Sequence, residues 1–319
     1  MNGSFSVWDG ALIALKALTY AATLCAAGAV FFLRYCAALV TAPERSKIQH
    51  TVWGLSILSV GAGAAQIMVS AASMSDALSG MWDGSLVRLI WQAGAGRINA
   101  VRVLGLALAA LGMTRDRPAW WAVFGAAAAA TSFAWSGHTR ALNPSSLPTL
   151  LVGVHLLGVA FWLGALVALR LIASNPDPAG VAPSVARFGA AALFVVSGLI
   201  AAGLGLLWIM LGDLTQLWGS PYGRYAMLKL TFVAGLLGLA AFNKLSLTPR
   251  LLAHDSRALR ALRGSIRLEL LLGALILLAT AVLTTVTGPP VLAGRSADVD
   301  AAAARRLQWP THSTIFKEV

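Results

Sequence analysis

The chain has 319 residues, of which 58% are hydrophobic and only 11% are charged, and its formal net charge is +12. A soluble domain carries roughly a quarter charged residues, so this composition excludes a protein whose whole surface faces water. The positive charge does not indicate nucleic-acid binding, because the basic residues form short clusters between apolar runs rather than a stripe interleaved with aromatics. We therefore predict an integral membrane protein whose partner is the lipid bilayer, with no nucleic-acid partner.

Eight apolar runs are near the length of about 20 residues that an α-helix needs to cross a bilayer. They cover residues 11–39, 51–72, 97–113, 119–137, 148–173, 185–211, 224–246 and 266–286. The first ten residues contain no basic residue and the first run is too long for a cleaved signal, so we interpret it as a retained helix. The predicted fold class is all-α, a polytopic membrane helical bundle of about eight transmembrane helices.

The basic residues predict how the bundle is oriented. Thirteen of the 24 lysines and arginines lie in short loops or helix ends on one side: Arg34, Arg45, Lys47, Arg115, Arg117, Arg170, Arg187, Lys244, Arg250, Arg257, Arg260, Arg263 and Arg267. By the positive-inside rule that side faces the cytoplasm, and both termini face the periplasm of a bacterial inner membrane. Tryptophans then form an outer aromatic belt of Trp8, Trp82, Trp91, Trp135, Trp208 and Trp218. Near the inner end of the last run we predict an interfacial salt bridge for Glu269.

Short motifs recur in the two halves of the chain. The matched pairs are Gly28 to Arg34 with Gly164 to Arg170, and Gly96-Arg97 plus Arg102 with Gly223-Arg224 plus Lys229. Because each half would hold four helices, the repeat would be parallel, with its halves related about the membrane normal. Chance similarity among apolar helices is the alternative. The predicted divisions are 1–137, 138–290 and a mobile periplasmic tail over 291–319.

Two histidines are candidate ligands for one metal ion. His138 lies at the outer end of the fourth run, and His155 lies seven residues beyond Pro148 in the fifth. Polar groups inside a membrane usually face the bundle or a cavity, so two imidazoles on neighbouring helices could share an ion. The alternative is a structural hydrogen bond for His155 and an interfacial loop position for His138.

The methionines are concentrated on the same side. Apart from Met1 and Met113, they lie at predicted outer helix ends or in the first long outer loop: Met68, Met74, Met81, Met210 and Met227. Thioether and imidazole groups together suit copper, especially Cu(I), better than Mg, Ca or Mn. Ordinary core filling is the alternative for the methionines.

Neither an energy-coupling motif nor a disulfide pattern is present. The sequence contains no Gly-Lys dipeptide and therefore no P-loop, and it contains no Cys-x-x-Cys. We predict that the protein is not an enzyme and does not hydrolyse ATP. Arg102 and Lys229 lie deeper in their runs than Arg97 and Arg224, and we predict for each either a structural partner or a polar cavity.

Several segments in the second half resemble the CopD family of copper-resistance membrane proteins. They are His155 to Leu166 with Trp162 and Gly164, Tyr222-Gly223-Arg224 with Lys229, Ala240 to Lys244, Leu247 to Leu251, Arg263 to Leu270 and Thr284 to Pro290, and Ser136-Gly137-His138 also fits. The resemblance covers roughly residues 136–290, and the first half is similar mainly in layout.

The resemblance implies an inner-membrane protein of copper homeostasis that acts with a periplasmic CopC-like copper carrier. It implies copper binding at a periplasm-facing site and movement of copper toward the cytoplasm, with Trp162, Arg102, Lys229 and Tyr222 as path or structural candidates. No CopC-like domain is visible in the sequence, so we expect that carrier to be a separate chain.

Two other functions remain open from the residues alone. One is a membrane b-type cytochrome or electron carrier, in which His138 and His155 would be the axial ligands of a haem. The other is a structural assembly factor for a metalloenzyme.

Overall fold

The computed structural model describes residues 6–114, 118–135 and 146–287. The α-helices in these ranges are α1 (Val7–Cys36), α2 (Ala42–Ser75), α3 (Gly84–Ile90), α4 (Gly96–Leu111), α5 (Trp120–Thr131), α6 (Ser146–Ile172), α7 (Pro178–Leu211), α8 (Gln216–Gly219), α9 (Pro221–Phe242), α10 (Thr248–Leu252) and α11 (Ser256–Val286). Two π-helical segments, Trp91–Ala95 and Asn243–Leu247, connect α3 to α4 and α9 to α10. The prediction of an all-α membrane bundle is confirmed.

In the described ranges, seven helical stretches are long and apolar enough to cross a membrane. They correspond to all the predicted runs except 119–137. In that run α5 has 12 residues and is followed by a 3₁₀ turn of four, Ser132–Trp135. Together they reach about 26 Å, less than the roughly 30 Å of a hydrocarbon core. Residues 136 and 137 of the predicted run lie outside the described residues.

Helix α1 is the central element. It packs against α2, α5, α6 and α11, and its second half is almost completely buried. The contact with α6 is so close that a Cβ added at Gly28 would lie 1.6 Å from the carbonyl oxygen of Ala160 and 3.0 Å from the Cα of Gly164. Small residues of this kind let the backbones of membrane helices approach each other. Because Gly28 and Gly164 have no side chains, the backbones of α1 and α6 can contact each other at the centre of the bundle.

The packing partners in the first half are matched in the second. Helix α1 packs on α2 as α6 packs on α7, and α4 packs on α5 as α9 packs on α11. The contacts between halves are also matched, since α1 packs on α11 and α6 packs on α5. Gly28 and Gly164, equivalent in the predicted repeat, contact each other. This is the arrangement that two parallel repeats about one axis would give, and the division at residues 137/138 stays a prediction.

The two ends of the bundle differ in chemistry. The end with the α1–α2, α6–α7 and α10–α11 connections, here called the basic end, carries the arginine and lysine clusters. At the other end, here called the tryptophan-rich end, the large exposed side chains include Trp82, Trp91, Trp135, Trp208 and Trp218. Trp8 at this end donates to the Oδ1 atom of Asp76 at 2.9 Å and ties α1 to the end of α2. The predicted aromatic belt lies here.

Helices α2 and α11 begin nine and ten residues earlier than the apolar runs that predict them. Thr41 and Glu44 form a reciprocal capping box at the start of α2, and the Asp255 side chain accepts from the backbone N–H of Arg257 at the start of α11. A cap provides hydrogen-bond acceptors for the free N–H groups of the first helical turn. These two caps therefore allow each helix to begin in the charged sequence at the basic end, before its apolar run. The Arg257 N–H and then the Arg250 guanidinium hold the pKa of Asp255 below its usual range.

Candidate functional site

His155 lies in the third turn of α6 and its ring faces α7. A Cβ added at Gly203 would lie 3.6 Å from its Cε1 atom and 3.8 Å from its Nδ1 atom, and the ring also contacts the backbone of Leu199. The Nδ1 atom is buried and makes no hydrogen bond of normal geometry to a described residue, although the Leu199 backbone lies close to the ring. Most buried polar atoms have a partner, so an orphaned imidazole nitrogen is a candidate ligand atom. Gly203 supplies the space that the ring occupies.

Met210 and Tyr222 lie together above this histidine, toward the tryptophan-rich end. Both are buried, in a small cluster with Leu211, Ala226 and Leu283. Met210 lies seven residues after Gly203, so both are on one face of α7 and about 10 Å apart along the axis. The face of α7 that contacts His155 therefore leads directly to Met210.

Lys229 completes the same region from α9. Its side-chain nitrogen is close enough to His155 for the two groups to interact electrostatically. Tyr222, Ala226 and Lys229 are spaced at i, i+4 and i+7, which places them on one face of α9. Four predicted site residues thus lie in one region of the second half: His155 on α6, Met210 on α7, and Tyr222 and Lys229 on α9. We call this group of residues the second-half path.

The other predicted methionines are not part of that group. Met68 and Met74 lie on α2, which packs on α1 and α4, whereas Met81 lies in the 3₁₀ turn Leu78–Trp82. Met74 is exposed, and Met68 and Met81 are half-buried. Met227 is on α9 but outside the buried cluster of Met210 and Tyr222. The five methionines are therefore divided between two halves rather than gathered at one site.

For Arg102 the sequence predicted either a structural partner or a polar cavity, and the structure shows structural partners. Its Nε atom donates to the Oγ of Ser132 at 3.2 Å, and its Nη1 atom donates to the Oδ1 of Asn99 at 2.7 Å. The guanidinium also lies 4.0 Å from the centre of the Phe133 ring. A Cβ at Gly63 would be 3.2 Å from the Asn99 oxygen, so this glycine makes room for the pair. All these partners are neutral.

Two polar residues of α1, Lys16 and Tyr20, were not singled out by the sequence, and Tyr20 contacts the same Phe133 ring as Arg102. Lys16 donates to the carbonyl of Thr284 at 3.2 Å and to the hydroxyl of Thr285 at 3.3 Å, which ties α1 to α11. Tyr20 is one turn further along α1, and its ring meets Phe133 edge-on with centroids 4.6 Å apart. Lys16 and Tyr20 are four residues apart within an apolar run, and this spacing could have predicted that both lie on one buried face of α1.

Trp162 and Glu269 lie nearer the basic end. Trp162 is buried against Phe188, with ring centroids 5.9 Å apart, and its Nε1 atom has no partner in the described residues. Glu269 is 2% exposed and accepts a hydrogen bond from the amide nitrogen of Asn243. The prediction of an interfacial salt bridge for Glu269 is wrong, because the carboxyl is buried and its partner is a neutral amide on α9's π-helical extension.

His138 lies outside the described residues, so its distance from His155 stays a prediction. Over the ranges that are described, no group of three or more His, Cys, Asp or Glu residues could hold a metal ion. Cys25 and Cys36 are free thiols. A metal site built from described residues would therefore use imidazole and thioether groups rather than a cysteine or carboxylate cluster.

Two family models match the chain. The copper resistance protein D-like N-terminal domain matches residues 7–147, and copper resistance protein D matches residues 182–283. A curated relative, the copper transport protein CutJ of Bacillus subtilis, is 26% identical over 161 residues. That alignment covers 49% of this chain and 28% of the relative, so the chain spans well under two thirds of that protein. No solved structure matches the chain at a significant level.

The two matched ranges follow each other and include the helices α1 to α5 and most of α7 to α11. The multi-pass helical bundle agrees with a membrane protein whose bilayer contact is extensive. The chain belongs to the copper resistance protein D family.

Proposed function

We propose that the protein binds copper at its tryptophan-rich end and moves it through the bundle toward the basic end, from the periplasm to the cytoplasm. The observation that carries the proposal is the orphaned Nδ1 atom of His155, buried beneath Met210 along one face of α7. The family and the name of the CutJ relative support copper as the cargo.

The ligand types suit Cu(I). Thioether sulfur is a soft donor and imidazole nitrogen binds copper well, whereas oxygen donors favour harder ions. Met210 and His155 are about 10 Å apart along the path, too far to hold one ion together. They would act as two successive copper-binding sites, here called stations, with Met210 nearer the entrance and His155 deeper in the bundle.

Lys229 affects how firmly copper is held at the deeper station. An ammonium close to His155 repels a bound cuprous ion, and this repulsion is strong where the dielectric constant is low. Transport sites must bind an ion without retaining it. The positive charge therefore suits a step on a path rather than a storage site.

His138 remains our proposed second ligand at the level of His155. It follows Trp135, the last described residue of the 3₁₀ turn after α5, by three positions. Helix α5 packs directly on α6, which carries His155. Both observations support a shared site, in which each imidazole would supply one nitrogen.

The haem alternative receives no support from the described histidines. His50 is exposed in the third turn of α2 and His254 precedes α11, so both lie toward the basic end, whereas His155 lies in the third turn of α6, nearer the tryptophan-rich end. Haem ligation by two histidines needs both rings at one iron. Among the described residues His155 has no such partner, and we favour copper.

The tryptophan-rich end would receive copper from a periplasmic CopC-like carrier. The basic end would face the cytoplasm, which agrees with the positive-inside rule for the arginine clusters in its short loops. Both termini would then lie in the periplasm.

Copper accumulation by cells expressing the protein tests the proposal. We expect His155→Ala to reduce accumulation to the level of cells without the protein, because the deeper station loses its ligand. His50→Ala is the matched control, since His50 is exposed at the other end and bonds the Ser46 carbonyl of its own helix at 2.8 Å. Equal accumulation by both variants, at equal expression, would contradict the proposed path.

A further inference from the structure

Glu269 is an unusual carboxyl for its position. Among the described membrane-spanning helices, Asp9 and Glu44 lie in first turns, whereas Glu269 lies 13 residues into α11 and is 2% exposed. A buried ionisable residue inside a membrane domain is costly unless a partner compensates for it, and such residues commonly serve ion or proton movement. Its hydrogen-bond partner is the amide nitrogen of Asn243.

Unsatisfied polar atoms surround this pair. The Oδ1 atom of Asn243 is buried without a hydrogen bond, and so is the Oγ atom of Ser265. Ser265 precedes Glu269 by four residues, so the two side chains are neighbours on one face of α11. Asn243 begins the π-helical segment Asn243–Leu247, and π-helical turns within α-helices are frequent at functional sites.

The cations near the basic end on α11 and on the helices that pack against it are engaged elsewhere or exposed, whereas Lys16 of α1 and Arg224 and Lys229 of α9 lie toward the tryptophan-rich end. Lys244 donates to the Gly189 carbonyl of α7, Arg34 of α1 lies over the Trp120 ring, and Arg250 of α10 pairs with Asp255. Arg170 of α6 is exposed. On α11 itself, Arg263 donates to the carbonyls of Ala173 and Asn175, and Arg267 is exposed. In the described part of the bundle, therefore, Glu269 has no cation to neutralise it.

We propose that Glu269, Asn243 and Ser265 form a proton-exchange site in the half of the bundle nearer the basic end. The amide of Asn243 can serve both forms of the carboxyl. Its NH₂ group donates to the carboxylate, and after rotation its carbonyl accepts from the protonated acid. The proton released by the acid passes to water at the basic end, and the same group takes it back.

The site offers oxygen atoms from only one carboxyl, one amide and one hydroxyl group. These are few ligands for binding a sodium ion, but they are sufficient for binding a proton. Use of this proton to drive copper movement rests on the proposed function. The exchange itself does not require copper, so it can be tested on the metal-free protein.

Infrared difference spectroscopy of the metal-free full chain in lipid nanodiscs, titrated between about pH 5 and 9, tests the site. We expect a protonated-carboxyl C=O band that titrates in the wild type, is lost in Glu269→Gln and moves in frequency in Glu269→Asp. Glu44→Gln is the matched control, because Glu44 is also buried but is paired with Thr41 in a helix cap. That variant should keep the band.

Three results distinguish the possibilities. Identical titrating bands in the wild type and Glu269→Gln would overturn the proposal. A midpoint that shifts when sodium chloride replaces choline chloride would also overturn it, in favour of a sodium site. A Glu269 band that titrates in a protein whose copper accumulation does not depend on His155 would support the proton site and contradict the proposed copper path.

Discussion

The crossing of α1 and α6 predicts a large effect from the smallest possible substitution. In Gly28→Ala the new methyl carbon would lie 1.6 Å from the Ala160 carbonyl oxygen, whereas non-bonded carbon and oxygen atoms stay about 3.3 Å apart. The obstacle is backbone, so no side-chain rotation relieves it, and the helices must separate by about 1.5 Å. Overpacking costs about 1–3 kcal/mol or more, and alanine regains about 1 kcal/mol of helix propensity.

We therefore expect Gly28→Ala to lower the free energy of unfolding by about 2 kcal/mol. Gly164→Ala should act similarly, because its Cβ would be 2.2 Å from the backbone nitrogen of Ala29. Gly61→Ala on α2 is the matched control, since no heavy atom lies within 4 Å of a Cβ there. It should leave stability unchanged or raise it by up to about 1 kcal/mol.

Thermal unfolding of the purified protein in one detergent, followed by tryptophan fluorescence, measures these changes. The expected order of midpoints is Gly61→Ala at or above wild type, with Gly28→Ala and Gly164→Ala several degrees below. A Gly28→Ala midpoint equal to that of Gly61→Ala would refute the close crossing of α1 and α6.

Three further predictions use other parts of the molecule. Met210→Leu should weaken Cu(I) binding in a competition titration at least several-fold, whereas the same change at the exposed Met74 should not; equal affinities would remove Met210 from the path. Asp255→Asn should lower the unfolding midpoint at neutral pH and lose this effect as the pH falls below about 4. The reason is that the pKa of Asp255 is lowered in the folded state, so its stabilisation is present above the ordinary pKa and is lost as the carboxylate is protonated; a midpoint difference that is the same at every pH would contradict this. Reporter fusions near residues 45, 116, 178 and 255 should give cytoplasmic activity, and periplasmic activity at residue 255 would reverse the proposed direction.

Hydropathy predicted the helices well because membrane helices require long apolar runs. It predicted the first residues of α2 and α11 too late in the chain. Thr41 and Asp255 cap these helices, so each helix begins in charged sequence before its apolar run. In the run 119–137 hydropathy gave no sign that α5 is followed by a 3₁₀ turn at Ser132–Trp135. Hydropathy measures transfer into lipid and contains no information on helix capping or on a turn at the membrane edge.

The candidate site could be predicted only in part. His155, Met210, Tyr222 and Lys229 stand out by residue type, but their alignment depends on how α6, α7 and α9 pack, which no local pattern specifies. Lys16 was missed because a lone lysine in an apolar run resembles a snorkelling residue, and its partners are on α11, far away in sequence. The shared site of His138 and His155 stays a prediction.

Copper K-edge X-ray absorption on the Cu(I)-loaded protein tests the central claim most directly. We predict nitrogen scattering at about 2 Å in the wild type that is lost or reduced in His155→Ala, with sulfur scattering that is reduced in Met210→Leu. The His50→Ala protein should give the wild-type spectrum. Identical spectra for the wild type and His155→Ala at equal copper loading would show that His155 is not a copper ligand.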